Sequence, residues 1–132
     1  MTHVLLMVEP VGQRQSRTEA EGREAYARME RWAESLHQRG LLIAAQSLRS
    51  QSSASRLQVR AGHTHVLDGP FPETKEVIGG YFFLTVADLD EATEIAKGCP
   101  GLSLGVTVEV RPIAPVSPVL EGVHGRGPTT GR

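Results

Sequence analysis

The sequence predicts an α+β fold of the ferredoxin-like, split βαβ type with an inserted β-hairpin. Three features carry the prediction. Apolar strand-like runs and amphipathic stretches follow each other as strand, helix, strand, hairpin, strand, helix, strand. Both helical stretches open on capping motifs. The pair Ala61-Gly62 separates two short alternating runs, as a hairpin turn does.

Val4 to Val8 is a compact apolar run closed by Glu9-Pro10, and reads as the first strand. Val11 to Arg17 is polar and reads as a loop. Thr18-Glu19-Ala20-Glu21 matches a capping box and opens a long helix. Ala25, Tyr26, Met29, Trp32, Ala33 and Leu36 recur at helical spacing. Glu19-Arg23 and Glu24-Arg28 are expected to pair on its outer face. Gly40 stands where a helix ends in a left-handed residue.

Leu41 to Ala45 reads as the second strand, and the Ser-rich stretch from Ser47 to Ser55 as an outward loop. Leu57 to Arg60 and His63 to Leu67 form the hairpin. Asp68 to Glu76 is a charged, Pro-punctuated segment. Ile78 to Val86 is rich in aromatic and β-branched residues and is the clearest strand. Asp88-Leu89-Asp90-Glu91 opens a short helix with a stripe of Leu89, Ala92, Ile95 and Ala96, stopping near Gly98. Leu104 to Ile113 reads as the last strand. The domain is expected to span residues 1–114. Residues 115–132 hold three prolines and four glycines and read as a disordered tail.

The 132 residues suit one domain, and 39% hydrophobic with 22% charged residues is an ordinary globular balance. The formal net charge is -1 and no run of Lys or Arg forms a stripe. Nucleic acid is therefore not an expected partner. No apolar run approaches the roughly 20 residues that span a bilayer, so no membrane partner is expected. A single cysteine, Cys99, excludes an intramolecular disulfide and fits the reducing cytoplasm. No phosphate-cradling glycine loop, dinucleotide fingerprint or Ser-His-Asp order is present, and no cofactor is expected. His63 and His65 alternate on one hairpin strand, but no third ligand is evident, so no metal site is assigned.

Side chains alternate across a strand, which sorts the sheet into two faces. One collects Val4, Leu6, Val8, Phe82, Leu84, Val86, Val106, Val108 and Val110, expected beneath the helices. The other collects Leu5, Met7, Tyr81, Phe83, Thr85, Thr107, Glu109 and Arg111. A sheet covered on one side only should carry a polar second face. Exposing Leu5, Met7 and Phe83 would forgo about 1.5–3 kcal/mol each. Such a patch calls for a partner, and a two-fold dimer of the chain is the commonest solution.

Asp68-Gly69-Pro70-Phe71-Pro72-Glu73-Thr74-Lys75-Glu76, followed by Gly79-Gly80-Tyr81, resembles the signature of the YCII-related proteins of the DGPF group. Gly40-Leu41-Leu42, Asp88 to Ala92 and Val108 to Pro112 agree with it, so the resemblance covers residues 1–114. It implies a ferredoxin-like fold assembled as a dimeric α/β barrel, and implies no established reaction. One branch of the wider family carries a helix histidine and a later aspartate. Here the matching position falls near Met29, and His37 is the helix's only histidine, at its far end. Another branch eliminates chloride from a chlorinated aromatic.

Two functions follow as expectations. In the first, the chain is a small-ligand-binding or accessory module. In the second, it is a cofactor-independent enzyme that moves a proton on a small organic molecule. Asp68 or Glu76 would be the base, because clustered carboxylates beside a lysine shift one another toward useful acid-base values. Asp68, Glu73, Lys75, Glu76, Tyr81 and Arg111 are the candidate ligand contacts. The same segment also reads as a brace between the hairpin and the next strand, with Phe71 in the core.

Overall fold

The computed structural model describes residues 2–115 and residue 119. The chain runs β1 (Thr2–Pro10), α1 (Glu19–Gln38), β2 (Leu42–Ser47), β3 (Ser55–Arg60), β4 (His63–Asp68), β5 (Glu76–Thr85), α2 (Leu89–Ala96) and β6 (Thr107–Pro112). Short 3-10 turns occupy Gln51–Ser53 and Pro100–Leu104. The four-stranded antiparallel sheet has the order β2-β5-β1-β6, and β3 with β4 forms a separate two-stranded sheet. This is the split βαβ architecture with a hairpin inserted between β2 and β5. The tail expected over 115–132 lies, apart from Pro115 and Val119, outside the described residues.

The helix ends follow from local chemistry. Thr18 accepts the Glu21 amide while the Glu21 carboxylate accepts the Thr18 amide, so the capping box is complete. Asp88 caps α2 through the Glu91 amide, but the Glu91 carboxylate reaches back one residue further, to the Ala87 amide. Gly40 follows α1 at φ 74, a value that only glycine adopts without strain. Glu19 pairs with Arg23 as expected. Arg28 does not meet Glu24: it donates to Ser103 Oγ and ties α1 to the second 3-10 turn, while Arg31 meets Glu24. That turn ends in Gly105 at φ 91, so the last strand starts at Thr107 rather than at Leu104.

The phase of β1 is opposite to the sequence expectation. Leu5 stands beside Phe82 on one side and Val110 on the other. Leu5, Met7, Phe82, Leu84 and Val86 form the core with Leu36, Ala92, Ile95, Ala96 and Cys99. The open face therefore carries Val4, Leu6 and Val8 with Tyr81, Phe83, Glu109 and Arg111. The reason is plain in the sequence. Val4 to Val8 is apolar at every position, so nothing in it marks an outer side, and a slip of one residue exchanges the faces. The open face is still apolar. Tyr81 and Phe83 stack there with centroids 4.9 Å apart, and Trp32 meets Phe82 on the covered side.

The hairpin stands apart from this core. Ala61 and Gly62 both have positive φ, the mirror-image turn that matches strand twist. Leu57, Val59 and Val66 share one face and are each more than 60% exposed. Arg56 is the one residue of β3 and β4 that is not exposed.

Candidate functional site

A cleft of about 500 Å³ opens between α1 and the sheet. Its apolar wall includes Met7, Met29, Ala33, Phe82 and Val106, and its polar lining includes Glu9, Arg14, Arg17, Tyr26 and Glu30. The inward phase of β1 creates it: Leu5 and Met7 fill the core, and Glu9 continues the same alternation into the cleft. Glu9 is only 8% exposed, so its carboxylate needs a partner. Arg14 Nε meets Glu9 Oε1 at 2.6 Å. The other guanidinium nitrogens of Arg14 donate to the carbonyls of Leu48 at 2.7 Å and Gly79 at 2.9 Å. All three nitrogens are thus committed, which holds the carboxylate against the ends of β1 and β5.

The Gly79-Gly80 pair makes room for this arrangement. Val8 pairs with Ile78 while Met7 pairs with Gly80, so Gly79 is the extra residue of a bulge. A Cβ on Gly79 would strike the Glu9 carboxylate and Arg14, and one on Gly80 would lie 2.7 Å from the Gln46 carbonyl oxygen. On the opposite wall the Glu30 carboxylate beside Tyr26 raises that phenol above its ordinary range, first by its charge and then by a hydrogen bond. Arg17 donates to Gln13 and makes no ion pair among the described residues. A second hollow of about 280 Å³ adjoins the cleft across Glu9 and Arg14 and reaches Pro70.

The residues singled out by sequence lie elsewhere, and none of them lines the larger cleft. Asp68 ends β4, Lys75 precedes β5 and Glu76 opens it, and all three are exposed. Glu73 pairs with Arg56 at 3.2 Å rather than with Lys75. Tyr81 and Arg111 project from the open face of the sheet, and Arg111 pairs with Glu109 at 3.7 Å. The signature segment does brace the hairpin. Phe71 is buried, its amide donates to Gln51, and Arg56 lies 4.0 Å over its ring and donates to Thr74. The Gly69 amide donates to the Ala54 carbonyl. Among the described residues no three His, Cys, Asp or Glu side chains gather in one place, and His63 and His65 are both exposed. Sequence reading missed Glu9, Arg14, Arg17 and Tyr26. The available signal was Glu9, the acidic residue that ends the all-apolar first strand.

A family model described as YCII-related domain matches residues 1–117. The chain belongs to the YCII-related family. An uncharacterized protein of Rhizobium meliloti (strain 1021) is 40% identical over 68 residues, covering 51% of this chain and 55% of that protein. The YCII-related chain thus matches about half the length of that relative. Among solved structures it is similar to 5-chloro-2-hydroxyhydroquinone dehydrochlorinase from Burkholderia phenoliruptrix AC1100, in complex with 2,5-dihydroxybenzoquinone. The TM-score is 0.51 at 14% identity, covering 86% of this chain and 94% of the other, which shows a shared fold. No helix among the described residues is long and apolar enough to cross a membrane.

Proposed function

We propose that this YCII-related chain binds a small, partly apolar organic molecule in the cleft over Glu9, as a cytoplasmic homodimer built on the domain of residues 1–114. The observation that supports this most is the Arg14-held carboxylate of Glu9, set in a cleft that Met7, Met29 and Phe82 line with apolar surface. An apolar body suits Met7, Met29 and Phe82, and a hydroxyl or acidic group suits Glu9, Tyr26 and Arg17. The dimer is argued from the open sheet face, where Leu6, Val8, Tyr81 and Phe83 are only half covered within one chain. Asp68, Glu73, Lys75, Glu76, Tyr81 and Arg111 lie outside that cleft and are proposed instead as the contacts of a ligand held at the seam with the second copy, the placement that Asp68→Asn tests. The unpaired Cys99 supports the cytoplasmic assignment.

A second reading, proton transfer on the bound molecule, is favoured by the same carboxylate. A general base needs a fixed position in a water-poor site, and three hydrogen-bonding links hold Arg14 behind Glu9. The dehydrochlorinase that shares the fold supports it only at the level of fold.

Thermal-shift screening of hydroxylated aromatics and small carboxylic acids tests the proposal, alongside sedimentation of the free protein. A stabilising compound is expected, with its shift abolished in Glu9→Gln and kept in Asp68→Asn. A shift kept in Glu9→Gln and lost in Asp68→Asn moves the ligand to the signature segment. A blank screen overturns ligand binding, and a monomer at micromolar concentration overturns the dimer.

A further inference from the structure

We propose that the sulfurs of Met7, Met29 and Cys99 form a soft-metal site for copper(I). Cys99 Sγ lies 3.9 Å from Met7 Sδ and 4.0 Å from Met29 Sδ. The three donors come from three separate parts of the chain: Met7 from β1, Met29 from α1, and Cys99 from the segment between α2 and the second 3-10 turn. A metal-sulfur bond of about 2.3 Å sets the sulfurs of a trigonal site about 4 Å apart. Two sides of that triangle already have ligating length. One thiolate and two thioethers form a donor set that selects copper(I) over hard cations. Zinc is served poorly, because its sites draw on thiolate, imidazole and carboxylate rather than thioether.

The cleft supplies an entry path. Met7 and Met29 both line it, and Cys99 sits directly behind them at 4% exposure. Gly101 completes the wall: a Cβ there would press on Val106 Cβ at 3.2 Å and would touch Cys99 Sγ at an ordinary contact distance of 3.5 Å. Burial raises the Cys99 thiol, and the backbone N–H groups of Gly101 and Leu102 directed at the sulfur offset part of that effect. The ion must therefore displace the thiol proton. The S–H bond breaks, the proton passes to water, and a copper-sulfur bond forms with copper remaining in the +1 state. No electron is transferred.

The test uses the full chain, fully reduced and without oxygen, titrated with copper(I) against a coloured copper(I) chelator. Silver(I), equally soft and redox-inert, is titrated in parallel. The wild type is expected to retain one equivalent, with an ultraviolet thiolate-to-metal charge-transfer band. Met29→Leu is expected to weaken retention at least tenfold, and Cys99→Ser to abolish the band. Met→Leu nearly conserves volume, and Met29 is only half-buried, so circular dichroism verifies that this variant is folded. The proposal is overturned if the wild type retains no copper(I). Wild-type affinity in folded Met29→Leu also overturns it, since that leaves a simple thiol adduct. Displacement of copper(I) by equimolar zinc(II) overturns the assignment to a soft ion.

Discussion

Arg14 Nε and Glu9 Oε1 lie 2.6 Å apart, and the rest of the Arg14 guanidinium is spent on the carbonyls of Leu48 and Gly79. One side chain from the loop after β1 thereby joins the end of β1, the start of β5 and the stretch after β2. The pair is a structural clasp and the polar floor of the cleft at once. Its carboxylate is nearly buried, whereas Arg14 is about a third exposed, which moderates the strength of the pair.

Glu9→Gln keeps the shape and removes the charge. It is expected to lower stability by about 1–2 kcal/mol, between the values for exposed and buried pairs. Gly79→Ala pushes a methyl into the same pair and is expected to lower stability by about 1–3 kcal/mol. Urea denaturation measures both. A loss under about 0.3 kcal/mol in both variants would show that the clasp contributes little.

The phase of β1 has its own test. Leu5 is fully buried and Leu6 only half-buried. Leu5→Ala is expected to lower stability by about 2–5 kcal/mol. Leu6→Ala is expected to act mainly on self-association. Equal losses, or a larger loss at Leu6 in a monomeric sample, would restore the opposite alternation.

That strand shows where sequence reading stopped. The order of elements, the capping box at Thr18, the left-handed Gly40 and the Ala61-Gly62 turn were all legible, because each depends on residues close in sequence. The relative phase of neighbouring strands is a long-range property. In β6, Glu109 and Arg111 alternate with valines and mark an outer side, but β1 offers no such mark from Val4 to Val8. The inverted phase turns Leu5 and Met7 away from α1 and so hides the cleft that Met7 lines. Attention fell instead on the charge-dense signature segment, whose Phe71 and Glu73 serve to hold the hairpin.

Cys99 is expected to be slow to alkylate in the folded protein at pH 8, and fast once the chain is unfolded. Burial raises its folded pKa above the unfolded value of about 8.5. The protonated thiol therefore contributes stability that is full below that pH and is lost as pH rises through the folded value. Cys99→Ala should remove this part of the alkaline loss in a pH series of urea midpoints. An identical alkaline slope in the variant would place the titration elsewhere.

Two local changes should act with opposite signs. Thr18→Ala removes the cap of α1 and is expected to lower stability by about 1 kcal/mol. Ala61→Gly relieves a residue at φ 51 and is expected to strengthen the hairpin by about 0.5–1 kcal/mol. Hydrogen exchange at the Arg60 and His63 amides, which flank the turn, reads the second change. Unaltered protection there would mean that the turn carries no strain.

Among the described residues, Arg56 is the side chain of the two hairpin strands that fastens them to the signature segment. Its guanidinium rests on the Phe71 ring and reaches Glu73 and Thr74, whereas every other residue of the two strands faces water. The set of the two-stranded arm against the signature segment thus leans on one guanidinium charge, which a competing anion would contest.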